Sequence, residues 1–218
     1  MKGLFITFEG TECSGKTTQA QLLADRLRQL RMPIRLLREP GGTPIGEEIR
    51  HTLQHSHANA AMTPEAEMLL LNASRAQLVR EVIRPALAAG EIVICDRFYD
   101  STVAYQGYGR GLDPKIVQTV IDFAVGDTRP DVTFLLLVPH EVSEERRLAR
   151  QATLPFIRDR MEEADRSFFE RVITGYHAIA AAEPARVRVI DGTGDIQTIH
   201  NQIWALTLPL LKRGVFAT

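Results

Sequence analysis

Residues Gly10-Thr11-Glu12-Cys13-Ser14-Gly15-Lys16-Thr17 fit the spacing G-x-x-x-x-G-K-[ST]. A loop of this kind cradles the phosphates of a nucleoside triphosphate. Its glycines let backbone N–H groups wrap the anion, the lysine reaches the β- and γ-oxygens, and the hydroxyl that follows can ligate Mg²⁺. Thr18 extends the same wall into the next helix. An apolar run before the loop and an amphipathic pattern after it supply the strand-to-helix context that this mechanism needs. Cys13 fits as a small loop-filling residue, although a thiol at a helix start can also be reactive. Glu12 lies inside a cradle built for negative charge, so it calls for a partner other than the triphosphate.

Two further groups of residues could do related chemistry. Asp96-Arg97 ends the apolar run 91–95. An acid there can hold Mg²⁺ through water, and an arginine facing the phosphate loop can take a second phosphate group. Downstream, residues 145–160 carry Arg146, Arg147, Arg150, Arg158 and Arg160, interrupted by Pro155. Such a segment suits a lid, taken here as 141–165, whose arginines neutralise a phosphoryl group in transit. No N-K-x-D run that would read guanine is present, which argues against a GTPase switch. A transport or motor ATPase would need its own coupling motifs.

Something must hold these loops together. Five apolar runs, at 3–8, 33–37, 91–95, 132–138 and 186–191, read as strands buried on both faces. Helical patterns lie at 17–30, 63–90, 165–183 and 195–213, with Leu22, Leu23, Leu27 and Leu30 near one face of the first. In the second, Thr63 and Pro64 stand as N-cap and first helical residue, and Gly90 ends the pattern. Strands alternating with helices, without a linker, predict one α/β domain over 1–218: a five-stranded parallel sheet flanked by helices. In such sheets ligands bind beyond the carboxyl ends of the strands, where all these loops fall.

The bulk numbers agree. A chain of 218 residues, 44% hydrophobic and 24% charged, suits one globular domain. A net charge of −1 gives no overall field to draw in nucleic acid or a membrane, so any anion site is local. There are 22 Arg and only 4 Lys, one of them Lys16. Two cysteines, Cys13 and Cys95, give neither a disulfide framework nor metal spacing. No signal peptide or membrane span is evident, so a cytoplasmic location is expected.

Taken together, "FEGTECSGKTTQ", "REPGGTPIGEEIR" (38–50), "AEMLLLNASRAQL" (66–78), "DRFYDSTVAYQGYGRG" (96–111) and "DRMEEADRSFFERV" (159–172) resemble the thymidylate kinases, bacterial type. That combination is far more specific than the phosphate loop alone. The resemblance implies a P-loop kinase three-layer fold, ATP as phosphate donor with Mg²⁺, dTMP as acceptor and a homodimer. It places Glu12 beside the acceptor deoxyribose, and Glu39 and Arg50 near the monophosphate. Arg97 would hold the dTMP phosphate, with Thr17 and Asp96 on the metal side. Thr102 and Gln106 match positions at the thymine edge, Arg75 one that approaches O4, and Tyr105 an aromatic under the sugar that disfavours a 2′-OH. Catalysis would fall to Lys16, Glu12, Arg97 and a lid arginine: Arg147, Arg150 or Arg158.

Two departures stand out. Leu71, one helical turn before Arg75 and therefore on the same face, replaces the usual Phe. The lid stretch "QATLPFI" is apolar where the family has an Arg-Gly-rich turn. Two rival readings stay open, a kinase for another monophosphate and a nucleotide-binding regulator without catalysis. Intact Lys16, Thr17, Asp96 and Arg97 speak against the second.

Overall fold

A computed structural model describes residues 3–153, 160 and 164–213. Its strands are β1 (Leu4–Gly10), β2 (Ile34–Arg38), β3 (Ile92–Asp96), β4 (Val132–Leu137) and β5 (Val187–Asp191). They pair in parallel, in the order β2-β3-β1-β4-β5. The three inner strands are buried almost throughout, as continuous apolar runs require. The expectation of full burial fails for β2 and β5. Both are edge strands with a neighbour on one side only, and each leaves residues exposed.

Nine helices flank the sheet within the described residues: α1 (Lys16–Gln29), α2 (Pro44–Gln54), α3 (Pro64–Leu78), α4 (Arg84–Ala88), α5 (Tyr99–Thr102), α6 (Pro114–Val125), α7 (His140–Thr153), α8 (Arg166–Ala182) and α9 (Ile196–Arg213). Strand side chains alternate between faces. Ile6 and Phe8 pack with Leu23, Leu27 and Ile203 under α1 and α9. Phe5 and Val93 pack on the opposite face with α3, α4 and α6, and Leu135 packs there with Phe168 and Val172 of α8. The result is a helix–sheet–helix sandwich.

Leu30 does not join the buried face of α1. It is the C-cap residue, where the backbone leaves the helix, and it is exposed. The pattern read as one helix over 63–90 is α3 followed by a π-helical turn at Val79–Ile83 and then α4. Pro85 explains the break: it has no N–H for the carbonyl one turn back, and its ring crowds that carbonyl. Helices α2, α5, α6 and α7 were not among the predicted patterns. Two of them share the signal that marks α3. Thr43-Pro44 and Asp113-Pro114 are N-cap and first-turn pairs, with Thr43 Oγ1 accepting from Gly46 N at 3.1 Å and Asp113 Oδ1 from Lys115 N at 2.7 Å.

Candidate active site

The loops after β1, β2 and β3 open onto one cleft of about 840 Å³ at the carboxyl edge of the sheet. Residues 12–19 form one wall, Glu39, Arg50, Leu71 and Arg75 another, and Asp96, Arg97, Thr102, Tyr105 and Gln106 a third. Gly10 and Thr11 shape the loop from behind. A methyl group on Gly10 would lie 2.1 Å from the Leu136 carbonyl oxygen, and its φ of +139° is one that side chains rarely allow.

The loop fits a polyphosphate. Gly15, in a left-handed conformation, offers no side-chain cap to α1, and no acid stands in that helix's first turn. The first N–H groups are therefore free of a capping side chain, at the positive end of the helix. Thr11 Oγ1 and Ser14 Oγ are buried without a hydrogen-bond partner, donors for which phosphate oxygens are suitable acceptors. Lys16 is buried, with Nζ donating to the Thr11 carbonyl at 2.6 Å. Burial pushes its ammonium down to about 8. Arg97 adds to the shift, and Glu12, Asp96 and Glu9 oppose it. The donor set also fits Mg²⁺: the Thr17 hydroxyl contacts Asp96 Oδ2 directly, pairing two hard oxygen ligands. Among the described residues no group of three or more His, Cys, Asp or Glu forms a cage of its own.

Glu12 finds its partner in Arg97. Their ion pair is direct, and Tyr105 OH donates to Glu12 Oε1 at 3.4 Å. Burial alone would raise the Glu12 carboxyl, but Arg97, Lys16 and Arg150 outweigh it and hold the group below its ordinary value. Arg97 itself has a φ of +70°, and the turn aims its guanidinium back under the phosphate loop. There it donates to the Gly10 carbonyl and Ser101 Oγ, each at 3.1 Å, and to Tyr105 OH at 3.2 Å.

Arg75 is buried and its donors are taken by the protein. Nε meets Glu39 Oε2 at 2.8 Å, Nη1 meets Asn72 Oδ1 and Thr102 Oγ1 at 2.9 Å each, and Nη2 meets the Phe98 carbonyl at 3.1 Å. Burial raises the Glu39 carboxyl despite Arg75, and Glu39 Oε1 stays unpartnered. Arg50 donates to the Pro40 carbonyl at 3.0 Å. Leu71 sits half-buried in the cleft wall, on the same side of α3 as Arg75.

The Arg-rich segment is helical as far as Thr153, while Pro155 and Arg158 lie outside the described residues. Of the arginines on α7, Arg150 borders the cleft, as does Arg146, which the motif alone did not single out. Arg147 faces its own helix instead, with Nη2 2.9 Å from Glu144. Ser143 Oγ ties the start of α7 to the Glu12 carbonyl at 2.7 Å. A second buried group also escaped the motif reading. Glu9 accepts from Phe98 N at 2.8 Å, Ser101 Oγ at 2.6 Å and Tyr176 OH at 3.0 Å, and burial, helped by Asp100, pushes its carboxyl up to about 7.

Comparison with known proteins gives a consistent result. Residues 8–203 match the family model described as thymidylate kinase. The thymidylate kinase of Thermomicrobium roseum is 48% identical over 210 residues, covering 96% of this chain and 97% of that protein. The thymidylate kinase of Geobacter sp. strain M21 is 49% identical over 196 residues, covering 89% and 87%. Among solved structures, the thymidylate kinase of Ehrlichia chaffeensis superposes with a TM-score of 0.76 at 34% identity, covering 95% of this chain and 99% of that one.

Proposed function

The chain belongs to the thymidylate kinase family, and from that premise we propose that this cleft moves the γ-phosphoryl group of ATP onto dTMP, giving dTDP and ADP. One observation carries the assignment of roles. Lys16, at the phosphate loop, and Arg97, at the end of β3, flank a single carboxylate, Glu12, so a donor triphosphate and an acceptor monophosphate would meet across it.

The α1 N-terminus, Lys16 and the unpartnered hydroxyl of Ser14 bind the donor phosphates. Arg97, with Arg50 and Glu39 nearby, takes the dTMP phosphate and gives up Glu12, which turns to the acceptor sugar. Tyr105 packs under that sugar, and Leu71, Arg75, Thr102 and Gln106 border the base. An oxygen of the dTMP phosphate attacks the γ-phosphorus in line, and the bond to the bridging oxygen breaks as ADP leaves. Little proton transfer is needed, so catalysis consists of alignment and charge neutralisation by Lys16, Arg97 and Arg150. Mg²⁺, held by Thr17 and through water by Asp96, would draw charge from the phosphate oxygens.

Activity is tested by coupled ATP consumption across the nucleoside monophosphates. Wild type should prefer dTMP, and Lys16→Ala should lose turnover while keeping its circular dichroism spectrum. Substantial turnover in that folded variant would sink the assignment. We further place the protein in the cytoplasm, which suits two cysteines, Cys13 and Cys95, that form no disulfide, and read it as a homodimer. No helix of the described residues is long and apolar enough to cross a membrane.

A further inference from the structure

Glu67 is buried in the cleft wall and has no part in the transfer just described. Three side chains donate to its carboxylate. Gln106 Nε2 lies 2.7 Å from Oε1, Arg110 reaches Oε1 through Nε at 3.2 Å and Oε2 through Nη2 at 3.1 Å, and Arg160 Nη2 also meets Oε2. A carboxylate only accepts hydrogen bonds, so it takes the NH₂ end of the Gln106 amide and refuses the oxygen. Two guanidinium groups on the same acid compensate its negative charge in this buried place. The effect falls on the other end of the amide. Gln106 is buried, lines the same cleft, and its Oε1 has no hydrogen-bond partner. An oxygen left in that state is costly unless a ligand brings a donor to it.

We propose that Glu67 sets the base preference of the cleft by locking the Gln106 amide with its oxygen toward the base. The base that fits is a pyrimidine with N–H at ring position 3. Thymine and uracil carry that donor. Cytosine offers a lone pair at the same atom, which would face the lone pairs of Oε1. Freed from Glu67, the amide could turn over and present Nε2 to cytosine with no change of shape. The idea rests on the reading above that the base lies against Gln106. Glu67 is thus a positioning residue that acts through its neighbour.

The test compares kcat/KM for dTMP and dCMP in wild type, Glu67→Gln, Gln106→Ala and the double variant. Gln at 67 is nearly the same shape but can accept or donate, so it releases the lock. Glu67→Gln should lower the dTMP:dCMP ratio about 10- to 100-fold, through KM for the nucleotide monophosphate, with KM for ATP unchanged. On the Gln106→Ala background the same substitution should move the ratio by less than about twofold, because its route is gone. Equal losses on both substrates, or an undiminished shift without Gln106, would overturn the proposal. Should Glu67→Gln not fold, Glu67→Met with Arg110→Met and Arg160→Met removes that buried ion-paired cluster as a unit, a replacement often tolerated. It should relax the ratio likewise, and an unchanged ratio overturns the lock. Wild-type turnover of dTMP reports separately on the cleft assignment.

Discussion

Lys16 holds its charge less firmly than a surface lysine, and its chemistry predicts a pH dependence. The charged form binds phosphate, and in the free chain burial brings its pKa down to about 8. Below that value the site is ready, and affinity should be flat. Above it the free chain has lost a proton that it must regain on binding, so affinity for MgATP should fall by up to about tenfold per pH unit. Lys16→Arg does not titrate in this range and should give a flat, if weaker, profile. Calorimetric titration of MgATP between about pH 7 and 9.5 decides, and a flat wild-type profile would refute the argument. At this scale the sequence was most readable where chemistry is local. Lys16, Thr17, Asp96 and Arg97 sit within short motifs. The Glu9 cluster could not be read, because Tyr176 lies 167 residues away and meets Glu9 only once the sheet has formed. Glu67 was equally hidden, as an ordinary acid in a helical pattern.

At the scale of elements, the π-helical turn Val103–Gly109 carries both Tyr105 and Gln106 and is seated on α8. Contact is close because small residues stand at the crossing. A methyl group on Gly109 would come within 2.6 Å of the Phe168 ring and 3.0 Å of Val172 Cγ2, and one on Gly175 within 2.8 Å of Tyr108. Phe168 and Val172 are buried and cannot swing aside. Gly109→Ala should therefore cost about 1–3 kcal/mol in thermal or urea unfolding. The displaced turn should raise KM for dTMP more than KM for ATP, and equal changes in both would count against this coupling. The strands were legible because inner parallel strands are continuous apolar runs, and the partial exposure of β2 and β5 was not, because edge position depends on strand order. Helices α2 and α6 carried their start signals at Thr43-Pro44 and Asp113-Pro114, the same pairing that marked Thr63-Pro64.

At the scale of the whole molecule, α6 turns apolar side chains outward. Phe123 is 83% exposed and Ile116, on the same face two turns earlier, 58%, beside Leu69 of the adjoining α3 at 55%. An exposed apolar group of this kind suits an interface, and it is the surface on which the proposed homodimer should form. Phe123→Glu should convert a dimer to a monomer in sedimentation velocity, and a wild-type chain that sediments as a monomer would refute the dimer. The fold also constrains how α7 can move. Ser143 fastens the helix to the carbonyl of Glu12, the point about which the proposed lid would pivot. With a rise of about 1.5 Å per residue, Arg146 stands roughly 4.5 Å along the lever and Arg150 roughly 10 Å. A pivot of about 10° would shift Arg146 by under ~1 Å and Arg150 by nearly ~2 Å. If α7 closes as the proposed lid, the two arginines would divide the labour of one arm: the inner would stay close to the loop, and the outer would travel farther.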